Sequence, residues 1–296
     1  MLTFPLHSMD DPESDRIPEG LPPVVDAHVH LFPDNLFQAI WSWFDRFAWS
    51  IRYRIPSSSI VEFLLSRGVE RIVALHYAHR PGLARHLNAY MAAVCRDNPR
   101  VIGTATVFPG EEGASAILEE AFKSGLAGVK LHAHVQGFFM DTAAMHEIYA
   151  TCQAFDKPLV MHVGREPRNP YVEYVEDPYT TCRADKLEPV LRDYPRLRVC
   201  VPHLGADEFG SYKHMLERYD NLWVDTAMIL ADYLPVTDIP SLWEIRPDRV
   251  MYGTDFPNIP YAWDRELKNL SKLGLSDAVL ERILGSNAND LFGVRA

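Results

Sequence analysis

Val24-Val25-Asp26-Ala27-His28-Val29-His30 is the stretch that decides how this chain is read. Two valines lead a run whose polar residues fall on every second position. In a β-strand, residues two apart point to the same side, so Asp26, His28 and His30 are expected to share one face. Two imidazoles on one face, close together, are what a chelate needs. A lone His-x-His is weak evidence, because a buried histidine is often only hydrogen-bonded. The weight comes from the rest of the chain.

Further apolar or β-branched runs of strand length follow at Arg71 to Tyr77, Val101 to Phe108, Ala127 to His132, Leu159 to Val163, Leu197 to His203, Leu222 to Thr226 and Val250 to Asp255. Helical patterns lie between them, at Leu83 to Asp97, Ala114 to Lys123, Asp141 to Phe155, Asp185 to Tyr194 and Glu208 to Tyr219. Asp141 and Thr142 can cap the third of these. Gly68 and Gly125 stand where a helix C-terminus needs glycine. Eight strands alternating with helices predict an α/β fold, a parallel sheet closed into a (β/α)8 TIM barrel. An open doubly wound sheet is the alternative, but it usually carries a Gly-rich loop after its first strand. Here a His-x-His stands in that place.

The 296 residues suit one such barrel. Residues 1–22, with a stretch rich in Pro, Asp and Glu, are expected to form a surface arm, and 23–296 a single barrel domain. Phe32 to Pro56 is too long for a simple strand-to-helix loop and holds Trp41, Trp43, Phe44, Phe47, Trp49 and Tyr53. It reads as an aromatic-rich insertion after the first strand. It is either a helix packed on the barrel, a subunit contact that would make a homodimer, or a lid supplying aromatic walls to a substrate.

Composition narrows the partners. A net charge of -11 argues against nucleic acid and anionic membranes. No apolar run reaches the length of a membrane span, and no secretory signal is visible at the N-terminus. Cys95, Cys152, Cys182 and Cys200 are scattered without a Cys-x-x-Cys pairing, as expected of reduced thiols in a cytoplasmic setting.

Six of the 12 histidines, His28, His30, His76, His132, His162 and His203, fall at strand ends. In a barrel of this kind the catalytic groups come from the C-terminal ends of the strands. Neutral imidazoles and carboxylates bind zinc or a similar divalent ion, which makes bound water acidic enough to give hydroxide near neutrality.

Taken in order, Asp26-Ala27-His28-Val29-His30, Gly128-Val129-Lys130-Leu131-His132, Met161-His162-Val163-Gly164, His203-Leu204-Gly205, Gly253-Thr254-Asp255-Phe256-Pro257 and Ile283-Leu284-Gly285-Ser286-Asn287-Ala288 resemble the amidohydrolase superfamily, in its amidohydrolase-related branch. That branch includes aminocarboxymuconate semialdehyde decarboxylase and pyrone-dicarboxylate lactonase. The resemblance runs from about residue 24 to 293. It implies that His28, His30, His162 and Asp255 ligate one divalent metal, zinc first and manganese second. It also implies that Asp255 accepts a proton from water and that His203 is the acid/base residue facing the substrate. A second metal bridged by a carboxylated Lys130 is disfavoured, because the branch usually has one metal. His132, Lys130, Arg165 and His76 are candidate substrate contacts, with His79 nearby. Asp26 reads as structural, and Asp225 as either orienting a ligand or capping a turn.

The leading expectation is a metal-dependent hydrolase that attacks a lactone, ester or amide carbonyl of a small molecule. The alternative at the same residues is non-oxidative decarboxylation of an aromatic or unsaturated acid, a lyase reaction. A metal-binding regulator without turnover fits less well, because both His203 and Asp255 are present.

Overall fold

The computed structural model describes residues 8–164, 177–234, 242 and 245–293. The β-branched runs form strands β1 (Val24–His30), β2 (Val69–Leu75), β3 (Val101–Ala105), β4 (Gly128–His132), β5 (Leu159–His162), β6 (Val199–Val201), β7 (Leu222–Asp225) and β8 (Val250–Met251). They lie side by side in chain order, every neighbouring pair parallel. The last strand returns to the first. Ala27 N donates to Tyr252 O at 2.9 Å, Asp255 N to His28 O at 2.9 Å and His30 N to Phe256 O at 2.7 Å. The result is the (β/α)8 barrel that the alternation predicts.

Helices α1 (Asp34–Phe47), α2 (Ser57–Ser66), α3 (Ala84–Asp97), α4 (Ala114–Lys123), α5 (Ala133–Gln136), α6 (Ala143–Ala154), α7 (Pro178–Thr181), α8 (Ala184–Asp193), α9 (Phe209–Arg218), α10 (Arg265–Ser271), α11 (Asp277–Glu281) and α12 (Asn287–Phe292) follow or separate the strands. The periodic positions do the packing. Leu87 and Met91 of α3 are wholly buried, as are Met145 and Ile148 of α6, whose first turn is capped by the Thr142 hydroxyl accepting from Met145 N. One apolar core lies between the strands and these helices. A smaller one joins Val25, Val73, Ile102, Val160, Cys200, Trp223 and Met251 to Ala288, Leu291 and Phe292 of α12. It fills the barrel towards the N-terminal ends of the strands and leaves the other end for polar groups.

Several strands are shorter than their apolar runs. β8 stops at Met251, four residues before the end of its run, and β6 covers only the middle of its own. His203 and Asp255 have left-handed backbones, φ 57° and 68°, which regular strand residues do not adopt, although the segment through Phe256 still bonds to β1 across the seam. The chain leaves the sheet where it must turn a side chain into the barrel mouth. β2 is displaced the other way and begins two residues earlier than expected.

The aromatic insertion forms α1. Phe37 and Trp41, one turn apart, are buried and stack at 5.4 Å, and Phe37 packs edge-on against Phe32. Trp49 Nε1 donates to Asn258 O at 2.7 Å. The helix therefore packs on the barrel, with Trp43 on its outer face. Residues 8–17 run across the same side. Asp11 pairs with Arg265 at 3.0 Å, Trp263 Nε1 donates to Ser14 O, and the Tyr53 hydroxyl bonds Glu13 while accepting from Trp263 N. Among the described residues, no helix is long and apolar enough to cross a membrane.

Candidate active site

β1 brings His28 and His30 to the mouth, although its pairing with β2 shifts register between Asp26 and Val29. The backbone bonds across the closing seam place Asp255 against them. Asp255 Oδ1 lies 3.0 Å from His30 Nε2 and 3.2 Å from His28 Nε2. Donor atoms of the three residues all fall within 4.8 Å of one another, and all three are buried. Two donors each about 2.1 Å from a common ion stand roughly 3.0–3.4 Å apart at octahedral or tetrahedral angles, so this spacing is that of a coordination sphere. His28 Nε2 and His30 Nε2 converge on one oxygen of Asp255, as donors around a common cation would. Two imidazoles and a carboxylate suit zinc, manganese or a similar divalent ion. The residues fit the group.

Carboxylates behind this cluster fix it. Asp225, at the end of β7, accepts a hydrogen bond from His28 Nδ1–H at 2.9 Å through Oδ2, so in the neutral ring Nε2 carries the lone pair. Asp225 Oδ1 accepts from the backbone N–H of His203 at 3.0 Å and of Ala227 at 3.1 Å. Asp26 Oδ1 accepts from His28 N and Thr254 N at 3.1 Å each, and Oδ2 from the Thr254 hydroxyl at 2.6 Å, which ties β1 to the segment carrying Asp255.

The protonation states follow from burial set against these partners. Burial opposes charge on His28, but the adjoining Asp225 outweighs it and raises the pKa. Burial opposes the charges of Asp255 and Asp225 too. The imidazoles beside Asp255 nevertheless hold it well below the usual carboxylate range, and His28 with His203 lowers Asp225. His30 is pushed down to about 4 by burial, and Asp26 up to about 7.

The remaining rings close a circuit around the mouth. His30 meets His28 at 5.1 Å, His28 meets His203 at 5.2 Å, and His203 meets His162 at 4.7 Å. His162 stacks on His132 at 3.9 Å, His132 meets Tyr77 at 4.9 Å, and Tyr77 returns to His30 at 5.9 Å. His132 and Tyr77 are the half-exposed members, and His134 stands beside His132 and His162. His203 Nδ1 lies 2.8 Å from Ala227 O, a pure acceptor, so Nδ1 carries the proton and Nε2 the lone pair of the neutral ring. Burial and then His28 push the His203 pKa down, which favours that neutral form.

Of the residues singled out in the sequence, His28, His30 and Asp255 form the compact cluster, with His203 beside His28. His162 is not in that cluster; it sits next to His203, and burial drives its pKa well down. Lys130 is wholly buried within the barrel, close enough to depress His28, His30 and His162. His76 is wholly buried just past β2, where burial pushes its pKa to about 3. His79 is exposed and stands outside the circuit. Arg165 lies outside the described residues.

Two supports are absent from the sequence reading. Gln136 accepts from His132 N at 2.8 Å while its amide donates to Ala78 O and Val107 O, both at 2.9 Å, bracing the rim of β4. A polar residue four positions past His132 in an apolar stretch is the only signal of it. Thr254 clamps Asp26 as described, and nothing but its place before Asp255 marks it.

A family model described as Amidohydrolase matches residues 25–294. No curated protein sequence matches the chain. Among solved structures, 5-carboxyvanillate decarboxylase from Novosphingobium aromaticivorans, complexed with manganese and 4-hydroxy-3-methoxy-5-nitrobenzoic acid, is similar at 18% identity and a TM-score of 0.67. The likeness covers 96% of this chain and 100% of that one. 2,6-Dihydroxybenzoate decarboxylase from Rhizobium is similar at 16% identity and a TM-score of 0.65, over 93% of this chain and 99% of that one. An uncharacterised TIM-barrel protein from Bordetella bronchiseptica is similar at 19% identity and a TM-score of 0.65, over 92% and 98%. At these identities the likeness establishes the shared fold.

Proposed function

The chain belongs to the amidohydrolase family, and from that premise we propose that it is a metal-dependent hydrolase of a small-molecule carbonyl, a lactone, ester or amide. The observation that carries this reading is the pairing of Asp255, flanked by His28 and His30 at 3.2 and 3.0 Å, with a neutral His203 beside them.

His28, His30 and Asp255 would hold the cation, with His162 a further candidate. A divalent ion there supplies Lewis-acid polarisation of an oxygen within its reach. Asp255, held as a carboxylate, accepts a proton from the attacking water and returns it to the departing oxygen or nitrogen. His203 Nε2 is an acceptor, because its Nδ1 proton is committed to Ala227 O. It therefore orients the water rather than the substrate carbonyl. Protonated, it becomes a donor and loses that role. Tyr77 and His132, the half-exposed part of the ring circuit, would receive the body of the substrate, with Lys130 buried within the barrel.

Decarboxylation of an aromatic or unsaturated acid is the second reading. The ring-lined mouth favours it, because a planar conjugated acid finds ring faces and edges on several sides. Two solved structures of like fold are decarboxylases, one of them holding manganese. The reaction would then need a proton donor to carbon, a task less suited to a carboxylate held ionised.

Incubation of metal-loaded protein with lactones, esters, amides and hydroxybenzoates in H218O separates the two. Hydrolysis places one solvent oxygen in the product acid. Release of carbon dioxide with solvent hydrogen on carbon would replace hydrolysis by the second reading, and full activity in an Asp255→Asn variant would refute both.

A further inference from the structure

We propose that Asp225 is the positioning residue of this site, fixing the tautomer of the metal ligand His28 with one oxygen and the backbone of His203 with the other. The inference rests on the reading of His28 and His203 given above. Asp225 touches neither substrate nor cation in that scheme and acts only through its neighbours.

The argument is one of acceptors. Asp225 is fully buried and meets three donors: His28 Nδ1 on Oδ2, and His203 N and Ala227 N on Oδ1. Only a carboxylate offers acceptors in both directions. The Oδ1 side is demanding. His203, Leu204, Gly205 and Ala206 have φ of 57°, 49°, 85° and 54°, a left-handed run in which three residues carry a side chain. Such a run persists only where its surroundings hold it. The bond from His203 N anchors its first residue, and the bond from Ala227 N holds the segment whose carbonyl receives His203 Nδ1. The Oδ2 side leaves the His28 lone pair on Nε2, where Asp255 and the cation need it.

Asparagine at this position is nearly isosteric and offers one acceptor and one donor. The two backbone N–H groups cannot change their protons, whereas an imidazole can. In Asp225→Asn the introduced amide therefore keeps its oxygen on the backbone and turns its NH2 group towards His28. That forces His28 to protonate Nε2 and withdraws the metal-binding lone pair.

The test is Asp225→Asn with two readouts that need no turnover. Competition with a chromophoric chelator should show zinc and manganese each held about 10–100-fold more weakly than by the wild type, the usual effect of losing the partner of a ligand histidine. Nitrogen-15 NMR of the metal-free protein, recorded at a pH above the raised pKa of His28 so that both rings are neutral, should show His28 moving from the Nδ1–H to the Nε2–H form while His203 keeps Nδ1–H. A residue with only a structural role would lower the melting temperature and leave tautomer and metal affinity unchanged, and that result overturns the proposal. If the variant does not fold, the wild-type spectrum decides: Nδ1–H on both rings supports the proposal, and Nε2–H on His28 overturns it. A wild type that binds neither ion refutes the underlying reading of the site, whereas equal binding by both proteins refutes only the part played by Asp225.

Discussion

Replacing Gly205 by alanine tests how the loop after β6 is built. The position has φ 85°, and an added Cβ would stand 1.9 Å from Cδ2 of Tyr212, 2.4 Å from Cε2 and 2.5 Å from Cγ. Tyr212 is 1% exposed, so its ring has nowhere to swing. A left-handed alanine costs about 1–2 kcal/mol. Forcing a methyl into a filled core adds about 1–3 kcal/mol. Gly205→Ala should therefore lose about 2–5 kcal/mol of stability, read from urea unfolding followed by fluorescence and circular dichroism. The packing share can be isolated. Tyr212→Ala removes the ring at a cost of about 3–5 kcal/mol, taking the large-aromatic range. In the double variant no ring remains to collide with, so the combined loss should fall short of the sum by about the overpacking term, roughly 1–3 kcal/mol. A single variant within about 0.5 kcal/mol of wild type, or a cycle additive to about the same margin, would refute the packing argument.

Three further expectations follow from the geometry. Elemental mass spectrometry of protein purified without chelator should find about one divalent metal per chain, with loss of it in His28→Ala, His30→Ala and Asp255→Asn; retention in all three would rule out the proposed ligands. In the metal-free protein, Asp26 titrates near 7 folded against 3.8 unfolded. Below the lower value it is protonated in both states and contributes nothing. Between the two, unfolding releases its proton, so stability falls as pH rises, by about 4 kcal/mol in all at about 1.36 per unit. Asp26→Asn lacks this limb, and equal slopes between about pH 4 and 7 in the two proteins would contradict the raised value. Tyr53→Phe removes the hydroxyl shared by Glu13 and Trp263 N and should cost about 1–3 kcal/mol in urea; an unchanged midpoint would show that the contact between arm and loop carries no stability.

The fold was legible because its signals are periodic. Val24 to His30 announces a strand through alternation, and the helices α3 and α6 announce themselves through apolar residues at helical spacing. The ends of the strands were not legible. Leu197 to His203 and Val250 to Asp255 read as single strand-length runs, yet β6 and β8 stop short inside them. Only Gly205 hints at the left-handed turn, since Leu204 and Ala206 are poor candidates for it. His28 and His30 could be singled out because they share one face of a predicted strand, and Asp255 because its Gly-Thr-Asp resembles the family's motif. Asp225 could not be assigned to orienting a ligand, because the site residues it holds, His28 and His203, lie 197 and 22 residues away and no local spacing encodes them. Gln136 escaped for the same reason, with donors and acceptors up to 58 residues distant.

The closing seam of the barrel also orders events in time. His28 and His30 lie on the first strand and Asp255 just beyond the last, 225 residues apart in the His30–Asp255 pair. A ribosome exposes the two histidines long before the aspartate exists, and contacts of such long separation are late in folding. The donor set is therefore assembled by the same step that joins the ends of the sheet. Ion capture becomes a reporter of completed folding: on refolding from urea, high-affinity uptake should appear with the slowest phase, and uptake in an earlier phase would mean that the histidines recruit the ion before the ring is shut.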